Sequence, residues 1–264
     1  MDPSQHPFPR IVSLLCARLS QKWGVLNLSS NYRRGERPRL NFPDATMESP
    51  SLSVMKCQIC DTRKARRHCP GVNGEICPIC CGNEREVTIS CALDCPYLSE
   101  ARLHEKPREV NPEEVPNRDV QVTEEFLREH EPLLVFLGAK LLEASLGSPG
   151  AVDSDVRDAL ESLIRTYRTL QSGLYYETRP TNLIAAGIHQ RMQEAVESLR
   201  GELAEKNAMP LRDAEILGTL VFLERVELHE NNGRPRGRAF IDYLRAYFPP
   251  SDQNLAPASP LIQV

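Results

Sequence analysis

Along the second half of the chain, apolar residues recur at three- and four-residue steps, and each run ends at glycine, proline or asparagine. The first run carries Phe126, Leu133, Leu134, Leu137, Leu141 and Ala144, with Thr123 as N-cap and Glu124 and Glu125 near the positive end of the helix dipole. "GSPG" at 147–150 stops it. Asp153 or Ser154 caps a second helix with Val156, Ala159, Leu160, Leu163, Tyr167, Leu170 and Leu174 on one face. "TRPTN" breaks the chain, and Asn182 caps a third with Ile184, Ile188, Met192, Ala195, Leu199 and Leu203. A fourth follows Pro210 and runs through Ile216, Leu217, Leu220, Val221 and Leu223 to about Leu228. "ENNGRPRG" separates it from a short last helix with Phe240, Tyr243, Leu244 and Tyr247. Amphipathic helices joined by short loops imply an antiparallel bundle over residues 121–248.

The pattern changes upstream. In residues 55–106 the helical period gives way to cysteines at short intervals, and "EREVTIS" alternates with β-branched side chains as a strand does. Pro96 suits a first helical turn, Asp94 suits the cap before it, and "PYLSEARLHE" continues as an amphipathic helix. "EKPREVNPEEVPNRDVQV" reads as a solvated linker, because Pro107, Pro112 and Pro116 interrupt any helix. The domains expected are therefore a Cys-rich module at 55–106, a linker at 107–120 and a helical bundle at 121–248, in a mainly α chain. Residues 1–54 and 249–264 read as disordered extensions rich in Pro and Ser. Met55, directly before "KCQIC", is a candidate natural start; the 26 Arg against 6 Lys suggest a GC-rich genome, where spurious upstream reading frames are common.

Charge narrows the function classes. Residues 55–106 carry 8 basic and 7 acidic groups, and residues 107–248 carry 17 and 24. A strongly basic domain, the footprint of a dedicated DNA binder, is missing. No run reaches the length needed to span a bilayer, and the apolar stretch Ile11 to Ala17 is too short for a signal peptide. A reducing, cytoplasmic compartment is the expectation.

Eight of the nine cysteines lie in the module: Cys57, Cys60, Cys69, Cys77, Cys80, Cys81, Cys91 and Cys95. Four thiolates complete a closed tetrahedral zinc site, so eight suffice for two ions. Cys57-x-x-Cys60 and Cys77-x-x-Cys80 have the spacer that lets one tight turn present both sulfurs, and the sixteen residues between them fit a ribbon site. Gly82 is available for the left-handed conformation such a turn tends to need. Neighbours on extended chain point to opposite sides, which assigns Cys80 and Cys81 to different ions. One scheme groups Cys57, Cys60, Cys77 and Cys80, leaving Cys69, Cys81, Cys91 and Cys95 together. A second follows the knuckle–strand–helix order of a treble-clef finger, grouping Cys77 and Cys80 with Cys91 and Cys95. The first is favoured. Disulfides, an iron–sulfur cluster and a single zinc with spare thiols are the competing readings. His68 and His104 read as surface groups.

"CPICCGNEREVTISCALDCPYLSEARLHE", preceded by "CQICDTRKARRHCPG", resembles bacterial proteins of an uncharacterised family. These share a Cys-rich amino end and a helical carboxy-terminal region with something like "LYYETRP". The likeness covers about residues 55–248 and implies that residues 1–54 lie outside the family's pattern. It implies no activity.

Other constellations are weaker. "RKARRH" at 63–68 and "GRPRGR" at 233–238 place Arg63, Lys64, Arg66, Arg67, Arg234, Arg236 and Arg238 where phosphates could be gripped. No aromatic residue interleaves the first run, and a solvated loop is the blander reading. "LYYETRP" suggests packing and an Arg179–Glu177 pair rather than a pocket. His189 and His229 lack the paired partners of a hydrolytic zinc motif, and no phosphate loop or nucleophile elbow is present. The expectation is a non-enzymatic zinc protein that binds another protein; a nucleic-acid-binding regulator is the alternative.

Overall fold

The computed structural model describes residues 55–106, 110–174 and 176–248; the expectations for the two terminal extensions lie outside them. Eight α-helices dominate, and a two-stranded sheet is the only sheet among the described residues.

The module opens with a hairpin of β1 (Arg67–Cys69) and β2 (Gly74–Ile76), paired antiparallel with Arg67 opposite Ile76 and Cys69 opposite Gly74. Asn73 turns the chain with φ of 54°, a conformation that asparagine tolerates well. Two short helices follow, α1 (Pro78–Glu84) and α2 (Pro96–Arg102), each with proline in its first turn, where no amide is needed.

Between them the structure departs from expectation. "EREVTIS" is not a strand: the amides of Val87, Thr88 and Ile89 all point to the Glu84 carbonyl, and Glu86 adopts φ of 54°. The end of α1 thus captures the backbone that alternation assigned to a strand. The N-cap of α2 is Cys95, not Asp94, whose carboxylate pairs instead with Arg245. Gly82 lies inside α1 with ordinary helical geometry; the left-handed residue at a knuckle is Asp61.

The bundle contains α3 (Glu124–Glu129), α4 (Glu131–Leu146), α5 (Asp153–Gln171), α6 (Leu183–Glu205), α7 (Asp213–Glu230) and α8 (Ala239–Tyr247). The run expected to form one first helix is broken at His130, with φ of −107°, because Pro132 has no amide to donate to the Arg128 carbonyl and fits only the first turn of a new helix. Thr123 and Asn182 cap α3 and α6 through their side chains, as the sequence predicts. Two other starts shift. Helix α5 is capped at Val152, whose amide donates to Asp155, while Asp153 accepts the amides of Phe240 and Ile241 at the start of α8. Helix α7 begins at Asp213, three residues beyond Pro210, and runs to Glu230.

Helix α5 packs chiefly on α7 and α6, and α4 packs on α6 and α7, so the four long helices form a ring in the order α4, α6, α5, α7. Short loops alone would have placed α4 beside α5. The shared core includes Leu137, Leu141, Leu160, Ile188, Ile216 and Phe240, all essentially inaccessible to solvent. No helix among the described residues is long and apolar enough to cross a membrane.

The segment expected to be a solvated linker is strapped to this bundle from residue 110 onward. Arg225 of α7 donates to the carbonyls of Asn117 and Val120, Arg168 of α5 bridges Asn117 and Asp119, and Asn117 donates to Glu224. Charged and proline-rich sequence conceals a segment whose backbone carbonyls accept from Arg225 and whose Asn117 and Asp119 side chains accept from Arg168.

Candidate metal centre

The first knuckle, Cys57–Cys60, lies beside the hairpin. The Gln58 amide donates to the Glu75 carbonyl, and the Cys57 amide to that of Arg63. The end of the Gln58 side chain lies over Gly74. Strand β2 then delivers Cys77, the N-cap of α1, whose Sγ accepts the Cys80 amide at 3.4 Å. The two knuckles therefore converge from opposite sides of one hairpin.

Their sulfurs form a closed set: one ligand atom from each of Cys57, Cys60, Cys77 and Cys80 lies within 4.8 Å of all the others. Zinc–sulfur bonds of about 2.3 Å imply a tetrahedron with edges of roughly 3.8 Å, which this set reaches with small side-chain adjustment. These are the four residues that the favoured ribbon scheme groups; the treble-clef grouping of Cys77 and Cys80 with Cys91 and Cys95 is not the one that the structure assembles.

The four thiols act on one another's ionisation. The Thr62 hydroxyl, with the Arg63 and Thr62 amides, holds the Cys60 thiol down to about 5. The Cys80 amide lowers Cys77. Burial, followed by the neighbouring cysteines, pushes Cys80 up to about 12. Four thiols packed so closely cannot all ionise alone, because each new thiolate opposes the next. A divalent cation at the centre removes that conflict and makes all four ligands.

The remaining cysteines come together elsewhere. Cys69 ends β1, Cys81 sits in α1, Cys91 lies in the loop after the 84–90 turn, and Cys95 caps α2. All four line one cavity of about 10 Å³, with Ile76, Ile89 and Leu98 closing it. Cys80 and Cys81 do serve different clusters, but for another reason than extended-chain alternation. They are consecutive residues of a helix, where side chains diverge by about 100°.

Structure also gives the basic runs specific partners. A hydrogen bond to Cys77 raises the pKa of Arg63, and Arg67 Nη1 donates to Cys81 Sγ at 3.4 Å while its guanidinium lies 4.3 Å from the Tyr97 ring centroid. Arg85 Nη2 approaches the same sulfur at 3.9 Å. Four thiolates around one zinc ion leave two net negative charges, so arginines at the sulfurs offset the surplus. Lys64 and Arg66 remain exposed.

The second run, 233–238, joins the module to the bundle. Its partner is Glu86, fully buried and held at positive φ. The Glu86 carboxylate accepts from Arg102 Nη2 (2.8 Å), Asn232 Nδ2 (2.8 Å) and the Arg238 amide (3.0 Å), and its carbonyl accepts the Arg236 amide. Arg234 reaches the Arg85 carbonyl and Glu105, and Arg236 the Ser90 hydroxyl. Leu93 completes the joint by entering the bundle's own core. Sequence reasoning missed this hub. Asn73-Gly74 was a legible hairpin signal, whereas nothing local marks Glu86 as buried.

The other candidates carry less. Arg179 pairs with Glu177 through two hydrogen bonds of 2.8 and 3.0 Å on the wall of an open groove between α5, α6 and α7; Tyr175 lies outside the described residues. His189 is buried, which lowers its pKa. His68 is exposed beside Glu75. Compared with family models, with curated proteins and with solved structures, the chain finds no match, so the four-cysteine centre itself is what any functional reading must start from.

Proposed function

We propose that this is a non-enzymatic, cytoplasmic zinc-binding protein, in which a metal-stapled finger fixed on an antiparallel helical bundle binds another protein. The observation that carries the reading is the closed set of sulfurs from Cys57, Cys60, Cys77 and Cys80. Zinc suits it because four thiolates in tetrahedral array are its usual structural site, and a site so closed keeps no coordination position for substrate or water. What supports a protein partner is the dressing of the two knuckles. Ile59 and Ile79 occupy equivalent positions in CQIC and CPIC and are 39% and 51% exposed, although the module has few apolar residues to spare. Nucleic-acid binding draws less support, because Arg63 and Arg67 have cysteine partners and Arg234, Arg236 and Arg238 are occupied at the joint with the module.

Elemental analysis of anaerobically purified protein tests the metal. Zinc at one or more equivalents per chain is expected, and iron or no metal overturns the reading. Exchanging both isoleucines (Ile59→Glu with Ile79→Glu) is expected to keep the zinc and abolish capture of a partner from the native host. Electrophoretic shifts across a salt series address the alternative: a shift at low salt that fades as salt rises would favour nucleic acid.

A further inference from the structure

Four cysteines are left over when the first centre is complete; they line one cavity, but their sulfurs stand further apart than those of the first centre, with no three of them within 4.8 Å of one another, so an ion would have to draw them in. Cys69, Cys81, Cys91 and Cys95 arrive from a strand end, a helix, a loop and a helix cap, yet all face one cavity just large enough for a single water-sized occupant. None is in a disulfide. The approach of the hairpin turn to the last loop is tight: a Cβ at Gly71 would lie 2.6 Å from the Ser90 carbonyl oxygen and 2.6 Å from Ile89 Cγ2. That closeness holds Cys69 and Cys91 to the same cavity.

Two guanidinium groups, from Arg67 and Arg85, point at Cys81 Sγ. The position in the fold is equally specific. Cys91 and Cys95 bracket Leu93, which enters the bundle core, and Asp94, which pairs with Arg245 of α8. Cys81 and Cys91 flank the turn that carries Glu86, the hub of the joint.

We propose that Cys69, Cys81, Cys91 and Cys95 form a second four-thiolate zinc site, and that its ion holds residues 85–95 in the shape that docks on the bundle. The first site keeps the finger folded; the second keeps it attached. Occupancy of the second site thereby controls whether the finger is fixed to α8 and the 231–238 loop or swings on its tether. This rests on reading the module as metal-stapled, and the test separates the two.

Zinc per chain is measured on three proteins: the unaltered chain, a Cys81→Ser/Cys95→Ser variant and a Cys57→Ser/Cys77→Ser variant. Amide exchange is followed at Arg236 and Arg238, whose N–H groups donate to Glu86. Two zinc ions in the unaltered chain, one in the Cys81/Cys95 variant, and exchange at those amides faster by roughly tenfold or more with the long helices unchanged, is the expected result. One ion in the unaltered chain, lost only in the Cys57/Cys77 variant, overturns the second site and leaves the first standing. No zinc overturns both. Two ions falling to one with exchange unaltered overturns the docking role. Should the Cys81/Cys95 variant fail to fold, cobalt titration of the metal-free unaltered chain decides: saturation of the thiolate–cobalt absorption at two equivalents supports the site, and at one equivalent overturns it.

Discussion

The finger and the bundle solve the same problem with different materials. Of the seven buried residues in the finger's core cluster, five are cysteines, and Ile76 and Ile89 are the other two, with Leu98 buried beside them. The bundle's core cluster holds twenty-eight, Leu93 of the finger among them, almost all aliphatic. A segment of about fifty residues rarely buries enough apolar surface to fold alone. On the proposed reading, bound metal supplies the larger part of the finger's stability and no part of the bundle's. The difference teaches how to take the molecule apart: each half should fail under conditions the other survives.

The largest effect expected is loss of a ligand. Cys77→Ser removes a sulfur of the first centre while leaving a hydroxyl that can still cap α1, so its effect isolates the metal ligand. Structural zinc contributes on the order of 10–16 kcal/mol to folding in small metal-dependent domains, far beyond what seven buried residues can replace. Resonances of the finger should collapse in a two-dimensional NMR spectrum while those of the bundle persist.

Next comes the joint between the halves. Glu86→Ala leaves the buried Arg102 guanidinium with Asp242 as its remaining carboxylate, and takes the acceptor from Asn232 and the Arg238 amide. A loss of about 3–5 kcal/mol in urea-induced unfolding of the zinc-loaded protein is expected. Leu160→Ala, wholly inside the bundle, should cost about 2–5 kcal/mol and leave zinc content untouched. If it released zinc, the halves would not be independent.

Acid should separate the halves by sign. Burial pushes Asp153 up to about 7, against the pull of the Phe240 and Ile241 amides, and likewise raises Glu224 to about 7. Both folded values lie above those of the unfolded chain, so between about pH 4 and 7 the folded bundle binds more protons than the unfolded one, and it gains stability as pH falls through that window. The finger moves the other way, because protons compete with metal for the thiolates. Chemical denaturation of the bundle and zinc release, each followed from pH 7.5 to 5.5, should show opposite slopes. Exposed pairs set the lower limit: Asp119→Ala, which frees Arg168 on one side of the strap, should leave the urea midpoint of the bundle almost unchanged.

The same contrast decides what could be read from the sequence. Helical period is clearest in α5, which buries one stripe on its neighbours, and Thr123 and Asn182 announce their caps, whereas α7 is buried at every position from Ile216 to Glu224. The break at His130 was visible in Pro132 but masked by an unbroken apolar run on either side of it. In the finger, the two-residue spacers identify the first quartet, since a knuckle is a local object. What cannot be read locally is the joint. Glu86 sits in a stretch that alternates like a strand, and only the distant Arg102, Asn232 and Arg238 explain why its carboxylate is buried and its backbone left-handed. Likewise "GRPRGR" reads as a surface loop because nothing near it in sequence shows that a turn from 150 residues earlier rests on it.

The most direct measurement is hydrogen exchange across residues 55–106 after exhaustive chelation with the thiols kept reduced. Protection should vanish throughout the finger while the amides of α4 to α7 remain slow. A finger that stays protected without its metal would show that packed side chains, not sulfur–metal bonds, hold it together.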